Sequence, residues 1–269
     1  MQTLSTAAIQ MNSQPDLDHN LKQAYEWILE AAGLGAEFIG LPENFAFLGN
    51  EKERLRQAET IAKKSAKSLS VWAEEFGVFL LAGGYPYPAG DNKVYNRAEV
   101  YNPNGEVISR YDKVHLFDVD LSDQEQYRES DMVKPGSNKT VVCEINHSFR
   151  AGLSICYDIR FPELYRKLVS EGANLLTVPA AFTKPTGEAH WEVLLRARAI
   201  ENTSYVIAPA QTGLHGEKRK TYGHAMIIDP WGKILADAGT KPGVVTAELD
   251  TEVIEEVRRK IPSLKHRVM

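Results

Sequence analysis

Glu43, Lys113 and Cys156 each follow a short stretch that is typical of a buried β-strand. A cysteine thiol, with a free pKa of about 8.5, is only slightly ionised at neutral pH, so as a nucleophile it needs a base or a cation beside it. Glu43 can accept the thiol proton, and Lys113 can stabilise a tetrahedral oxyanion and help to protonate a leaving amine. Because strand ends meet at one edge of a sheet, we predict that the three side chains lie together there and carry out acyl transfer.

The sequence around Cys156 predicts a sharp turn between a strand and a helix. Residues 151–155 form the strand, and Pro162 suits the first turn of a helix, where its missing N–H is no loss. A thiol beside a helix N-terminus is close to unpaired N–H groups, so we expect the turn to favour the thiolate. The alternative is a buried cysteine that packs as a small apolar side chain. Glu43 and Lys113 have similar alternatives, as a solvated loop residue and as a surface ion-pairing residue.

Alternating strands and helices must position these residues. Apolar residues at helical spacing predict helices over residues 17–32, 59–76 and 188–202, and Asp250 caps a last helix. A hairpin is predicted over residues 95–111. Further strands are predicted at 6–11, 37–41, 78–84, 139–145, 149–155, 174–179, 204–208, 223–229, 233–237 and 244–249. The pattern indicates one α/β domain over residues 1–269, with mixed sheets covered by helices and a short basic tail at about 262–269.

Composition and charge argue against several classes of protein, namely nucleic-acid-binding, membrane-spanning and secreted proteins. The chain has 269 residues, of which 43% are hydrophobic and 25% are charged, as in an ordinary globular domain. A net charge of -5 argues against nucleic-acid binding, and we find neither an apolar run of membrane-spanning length nor a secretory signal. The two cysteines, Cys143 and Cys156, make neither a disulfide framework nor a metal knuckle, although one disulfide between them stays open. We therefore expect a cytoplasmic protein without a metal site.

Three local sequences resemble the signatures of one enzyme family. Leu-Pro-Glu-Asn (41–44), Tyr-Asp-Lys-Val-His-Leu-Phe-Asp (111–118) and Ile-Cys-Tyr-Asp-Ile-Arg-Phe-Pro-Glu (155–163) occur in the order found in the nitrilase (carbon–nitrogen hydrolase) superfamily. The resemblance covers nearly the whole chain. It implies an αββα sandwich that pairs through helices into a homodimer, and it implies no metal and no organic cofactor.

The resemblance also implies roles for five residues. Glu43, Lys113 and Cys156 match the family's catalytic triad, and Glu129 matches a second glutamate that positions the substrate and the lysine. The backbone N–H of Tyr157 matches the group that joins the lysine in the oxyanion hole.

Within the superfamily, residues 185–201 and 211–224 are similar to the branch that contains deaminated glutathione amidase and omega-amidase, with Glu188 standing where those relatives usually have proline. This similarity implies a cofactor-independent amidase that forms a thioester acyl-enzyme on a small carboxylate-bearing amide. Deaminated glutathione is the expected substrate, and 2-oxoglutarate and cysteinylglycine are the products. Three alternatives are an omega-amidase acting on 2-oxoglutaramate, a nitrilase, and a catalytically silent binding protein.

Three further residues are candidates for binding the substrate. Arg160 follows Cys156 by four positions, although an ion pair with Asp158 or Glu163 would explain it equally well. Thr183 and Thr186 follow a strand that should end beside the cysteine strand.

Histidines and a basic run offer other interpretations. Three histidines are candidate bases for a Cys–His hydrolase: His115, His190 and His224. Each also has a structural alternative. His115 can be a neighbour of the lysine, His190 a residue at the start of a helix, and His224 an interior or pocket-wall residue. The run from His215 to Lys220 predicts a solvated loop, or alternatively a basic segment that attracts an anionic substrate.

Overall fold

The computed structural model describes residues 2–122 and 125–268, and in these residues strands alternate with helices. The strands are β1 (Thr3–Met11), β2 (Phe38–Gly40), β3 (Phe79–Gly90), β4 (Lys93–Tyr101), β5 (Val107–Asp112), β6 (Asp118–Ser122), β7 (Glu125–Arg128), β8 (Val142–Glu144), β9 (Arg150–Leu153), β10 (Leu175–Thr177), β11 (Tyr205–Ala208), β12 (Ala210–His215), β13 (Arg219–Tyr222), β14 (Met226–Ile228), β15 (Ile234–Asp237) and β16 (Gly243–Asp250). The helices are α1 (Leu17–Gly33), α2 (Glu51–Arg56), α3 (Ala58–Phe76), α4 (Pro162–Ser170), α5 (Lys184–Asn202) and α6 (Thr251–Lys260), and 3-10 turns span Glu129–Asp131 and Cys156–Arg160.

Two large sheets lie face to face between layers of helices. The first sheet has the order β13-β12-β1-β2-β3-β4-β5, with β16 also paired to β1, and the second has the order β15-β14-β11-β10-β9-β8. Helices α1 and α3 contact the first sheet, and α4 and α5 contact the second. The predicted αββα arrangement of mixed sheets is therefore confirmed.

Alternation along β1 shows why the sheets pack on both faces. Leu4 and Ala8 belong to the apolar core between the two sheets, whereas Ala7 and Ile9 belong to the core beneath α1 and α3. All four side chains are buried, because successive residues of a strand point to opposite faces. A strand that is apolar on both faces belongs in the centre of such a sandwich.

Local signals set most helix boundaries. The Asp16 side chain caps α1 by accepting a hydrogen bond from the His19 N–H, and Asp250 caps α6 as predicted. Helix α5 begins at Lys184 rather than at 188, because Pro185 fits the first turn of a helix.

Three elements are absent from the sequence-based prediction: the short helix α2, the hairpin β6–β7 and the hairpin β12–β13. The second hairpin corrects the interpretation of residues 215–220. They form a tight turn between paired strands, in which His215 is buried and Arg219 is partly buried, while Lys218 is exposed. A polar turn between short strands has the composition of a loop, so the sequence does not distinguish the two.

The structure also answers two questions about the whole chain. Cys143 and Cys156 are both free thiols, so the disulfide between them that the sequence left open does not form. Among the described residues, no helix combines the length and the apolar character that a membrane span requires.

Candidate active site

A cavity of about 430 Å³ collects the residues that follow strands of both sheets. Glu43 follows β2 and Lys113 follows β5, both in the first sheet, whereas Cys156 follows β9 in the second sheet. The prediction of a single sheet edge is therefore wrong in this detail. The residues meet because the two sheets lie face to face, and strand ends from both sheets open into one space.

Glu43 is a buried carboxylate whose oxygens are all held. Oε1 accepts hydrogen bonds from Asn96 Nδ2 at 2.8 Å and from Lys113 Nζ at 3.0 Å, and Oε2 accepts one from the Ala181 N–H at 2.9 Å. Burial alone would raise the pKa of Glu43, but the charge and hydrogen bond of Lys113 outweigh burial, and interaction with Cys156 and the charge of Arg219 add to them. The pKa is therefore lowered, and Glu43 is ionised at neutral pH.

Lys113 lies between two carboxylates and is only 2% exposed. Its Nζ donates to Glu43 Oε1 at 3.0 Å and to Glu129 Oε1 and Oε2 at 3.1 and 2.9 Å. Glu129 is fixed in turn by the Phe117 N–H, which donates to Oε2 at 2.7 Å. Burial would lower the pKa of Lys113, but the negative charges of Glu129 and Glu43 raise it above its ordinary value. Lys113 is therefore a fixed ammonium at the cavity wall.

Cys156 begins the 3-10 turn that follows β9 and has a backbone φ of 48°. This left-handed conformation is unusual for a residue with a side chain and costs on the order of 1–3 kcal/mol. The Cys156 N–H donates to the Pro179 carbonyl at 2.9 Å, which ties the turn to the segment after β10. The sharp predicted turn is present, and Cys156 at its start lines the cavity.

Burial has the largest effect on the pKa of the Cys156 thiol. Burial raises the pKa of the thiol well above its ordinary value, and the negative charge of Glu43 raises it further. Lys113 and the Ala181 N–H act in the opposite direction but do not outweigh burial. Any effect of the turn in favour of the thiolate is thus outweighed by burial beside a carboxylate. The resting group is a neutral thiol next to an ionised Glu43.

Tyr157, Thr183 and Thr186 also line the cavity. The N–H of Tyr157 belongs to the 3-10 turn that begins at Cys156. The hydroxyls of Thr183 and Thr186 lie 2.7 Å apart and hydrogen-bond to each other at the start of α5. Tyr157 and both threonines are thus placed where the sequence predicted them, close to the thiol.

His115 and Asp158 connect the lysine segment to the cysteine turn. His115 Nδ1 lies 2.7 Å from Asp158 Oδ1, and the His115 N–H donates to the same oxygen. The other oxygen, Oδ2, accepts hydrogen bonds from the Ile155 N–H at 2.9 Å and the Tyr111 hydroxyl at 2.8 Å. His115 is therefore a neighbour that braces the turn, and it does not line the cavity.

The remaining candidates lie outside the cavity lining. Arg160 sits behind two lining residues, with its guanidinium 5.7 Å from the Tyr157 ring centre and 5.4 Å from that of Phe182. It contacts the exposed His190 at 3.3 Å, so the suggested ion pairs with Asp158 or Glu163 are replaced by this contact. His224 is partly buried, pairs with Asp237 at the end of β15 and does not line the cavity, so its interpretation as a pocket-wall residue is wrong.

Sequence reasoning missed Asn96, Ala181 and Arg54, and it included Arg219 only within the basic run at residues 215–220, as an alternative to a solvated loop. Asn96 and the Ala181 N–H hold Glu43, and the arginines Arg54 and Arg219 line the cavity. Asn96 gives no clear signal, because its strand β4 also contains Lys93, Arg97 and Glu99, and Arg219 stands in a run of surface-like charges. Among residues 2–122 and 125–268, no three His, Cys, Asp or Glu side chains are grouped as metal ligands.

Comparison with known proteins identifies the family. The family model described as carbon-nitrogen hydrolase matches residues 5–259. A Synechocystis protein named deaminated glutathione amidase is 56% identical over 270 residues, covering 100% of this chain and 99% of the relative.

Two solved structures share the fold and the sequence signal. The C. elegans NitFhit protein has a TM-score of 0.92 at 37% identity, over 99% of this chain and 65% of that longer chain. Saccharomyces cerevisiae Nit3, described as a member of branch 10 of the nitrilase superfamily, has a TM-score of 0.88 at 32% identity, over 100% of this chain and 97% of that chain. The resemblance seen in the sequence is confirmed, and the relatives support a hydrolase that acts on amides. The chain therefore belongs to the carbon-nitrogen hydrolase family.

Proposed function

We propose that this protein is an amidase that hydrolyses deaminated glutathione through a thioester formed on Cys156. The observation that carries the chemistry is the buried Lys113 held between Glu43 and Glu129 beside the Cys156 thiol at one cavity. The substrate comes from the Synechocystis relative, whose name states it and which is aligned over the whole chain.

Acylation follows from the protonation states. Glu43, ionised and next to the thiol, takes the thiol proton as Sγ of Cys156 attacks the amide carbon. The oxyanion of the tetrahedral intermediate accepts hydrogen bonds from the Lys113 ammonium and the Tyr157 N–H. The positive charge of the first and the partial positive charge of the second stabilise it. Glu43 then returns its proton to the amide nitrogen, the carbon–nitrogen bond breaks, and cysteinylglycine leaves. A neutral thiol suits this order, because the proton transfers only when a substrate is present.

Deacylation reverses the roles. Glu43 takes a proton from water, the hydroxide oxygen attacks the thioester carbon, and Lys113 with Tyr157 again stabilises the oxyanion. The carbon–sulfur bond breaks, Cys156 regains its proton, and 2-oxoglutarate leaves. Glu129 is a positioning residue, because its two hydrogen bonds fix the ammonium. No group besides those of the protein and water is needed for the proton balance.

The test is product release by the purified protein from deaminated glutathione, 2-oxoglutaramate, glutamine and a simple nitrile. We expect the highest kcat/KM for deaminated glutathione. Cys156→Ala and Glu43→Gln should each lower the rate by at least about a thousandfold, as removal of a nucleophile or its base does in related chemistry. Cys143→Ala is the matched control and should keep wild-type rates, since Cys143 is a second buried thiol away from the cavity.

Other outcomes would point to the alternatives. A higher kcat/KM for 2-oxoglutaramate would make the protein an omega-amidase, and preference for the nitrile would make it a nitrilase. Absence of product from all four compounds would leave a catalytically silent binding protein and overturn the proposal.

We further propose a homodimer and a cytoplasmic location. Val193 and Ile200 lie seven residues apart on one face of α5 and are 67% and 50% exposed, and Trp231 is 55% exposed. Arg196 Nε donates to the Gly232 carbonyl at 2.9 Å, so the turn that carries Trp231 packs beside this helix face. An exposed apolar patch of this kind supports pairing with a second copy through α5. Two free thiols support a reducing compartment.

A further inference from the structure

Arg219 is a cavity residue whose hydrogen-bonding capacity is largely unused. It lines the cavity from the turn-side end of β13, and its side chain is 23% exposed. Its Nε is buried and has no hydrogen-bond partner among the described residues, and its Nη1 lies 3.5 Å from Glu51 Oε1, at the long end for an ion pair. A guanidinium is rarely left in this state, because its fork of N–H groups suits a carboxylate. The side chain is therefore prepared to bind an anion.

Arg54 places a second positive charge beside the same carboxylate. Arg54 Nε lies 2.9 Å from Glu51 Oε2, so Glu51 bridges the two arginines and the group keeps a net charge of one positive unit. Arg54 Nη1 donates to Asn44 Oδ1 at 3.1 Å, and Asn44 is the chain neighbour of Glu43. Both arginines therefore line the same cavity as Glu43, and the charge of Arg219 adds to the effects that lower the pKa of Glu43.

We propose that Arg219, supported by Arg54, binds the carboxylate on the acyl part of the substrate. The inference rests on the proposed amidase function. Deaminated glutathione carries one carboxylate on its acyl part, separated from the reacting carbon by three carbon atoms, and another at the far end of the leaving dipeptide. Arg219 lines the same cavity as Glu43 and Cys156, and the hairpin that carries it is hydrogen-bonded to the Glu43 backbone through Gln211, so the carboxylate nearer the reacting carbon fits this position better than the distant one.

The other charged residues of the cavity are less suited to this task. Arg128 Nη2 is held by Asp120 at 2.6 Å, and its Nη1 donates to the carbonyls of Val119 and Tyr127. Lys113 is paired with Glu43 and Glu129, and the proposed mechanism assigns its ammonium to the reacting carbonyl oxygen. Arg219 thus keeps more unused donors than these two.

The fold holds Arg219 in place through the hairpin β12–β13. The His215 ring bridges the Ser13 carbonyl, 2.7 Å from Nδ1, and the Thr221 hydroxyl, 2.6 Å from Nε2. Gln211 Nε2 donates to the Ser13 hydroxyl at 2.8 Å and to the Glu43 carbonyl at 3.1 Å. The hairpin that presents Arg219 is therefore fixed to the backbone of Glu43, which keeps the distance from base to carboxylate site constant.

The test compares Arg219→Gln and Arg219→Lys with the control Lys218→Gln, which removes the same charge from the exposed neighbouring position. The substrates are deaminated glutathione, 2-oxoglutaramate and 4-oxopentanamide, in which a methyl group replaces the acyl carboxylate of 2-oxoglutaramate. We expect Arg219→Gln to lower kcat/KM roughly ten- to hundredfold for both acids and to change it less than about twofold for 4-oxopentanamide. Arg219→Lys should lose less, because it keeps the charge without the fork. Lys218→Gln should match the wild type on all three.

The comparison between substrates separates binding from any change at Glu43, which would affect every amide equally. An equal loss on 4-oxopentanamide, or the same loss in Lys218→Gln, would overturn the inference while the amidase function stands. A loss confined to deaminated glutathione would assign Arg219 to the leaving dipeptide and would also overturn it. Failure of the wild type on all three amides would instead contradict the proposed function.

Discussion

Replacing Lys113 with Met removes the ammonium and nearly keeps the side-chain volume, so it tests the charge balance of the site. The ammonium makes three hydrogen bonds to the two carboxylates, at 3.0, 3.1 and 2.9 Å. In the variant, Glu43 keeps the Asn96 and Ala181 donors and Glu129 keeps the Phe117 N–H, but both carboxylates lose their counter-charge. Removing one partner of a buried ion pair costs about 3–5 kcal/mol, and we expect a loss of that size in the free energy of unfolding at pH 7.

The stability of the Lys113→Met variant should depend on pH in the opposite direction to the contribution that Glu43 makes in the wild type. In the wild type the pKa of Glu43 is lowered, so its ionisation stabilises the fold above the unfolded pKa, and this contribution is lost as pH falls through the folded pKa. Without Lys113, the two largest effects that oppose burial are lost, and we expect the pKa of Glu43 to rise above its unfolded value. The destabilisation should then be relieved as pH falls from 7 toward 5, where the carboxyl takes up a proton.

Urea unfolding measures both effects, with Lys113→Met/Glu43→Gln as the second variant. The double variant has no unpaired charge at position 43 and should recover part of the lost stability. A loss below about 1 kcal/mol in the single variant, or no recovery in the double variant, would refute the assignment of Lys113 as the counter-charge of Glu43.

Three further predictions concern other parts of the molecule. Burial lowers the pKa of His215 to about 4, so the fold should lose about 3 kcal/mol as pH falls from 6.5 to 4, and His215→Gln should lose less over that range in urea titrations. Val193→Glu should shift the protein from dimer to monomer in light scattering while activity per chain is kept; an unchanged mass would remove α5 from the interface. Iodoacetamide should modify Cys156 but not Cys143 by peptide mass spectrometry, and more slowly in Glu43→Gln; equal labelling of both thiols would contradict the described cavity.

The sequence was sufficient for features that local pattern determines. The helix and strand periodicities predicted α1, α3, α6 and most strands, and the turn after β9 was visible from an apolar strand followed by Pro162. Glu43, Lys113 and Cys156 could be predicted as one candidate site, because each lies within three residues of the end of a strand and because the family signatures contain all three.

Features that depend on three-dimensional packing could not be predicted from the sequence. Cys156 lies at the same kind of turn as predicted, but its pKa is set by burial and by Glu43, a residue far away along the chain. Arg219 is part of a basic run that has the composition of a solvated loop, and only the pairing of β12 with β13 turns it into the cavity. The donors to Glu43 include a backbone N–H at Ala181, for which no side-chain type gives a signal.

The central claim is a common acyl-enzyme on Cys156, and partitioning with hydroxylamine tests it most directly. Deaminated glutathione and 2-oxoglutaramate carry the same acyl group on different amines, so both should give the same thioester. At one hydroxylamine concentration we predict the same ratio of hydroxamate to 2-oxoglutarate from the two substrates, and no hydroxamate from Cys156→Ala. Ratios that differ with the leaving amine, or hydroxamate formed by Cys156→Ala, would contradict the account.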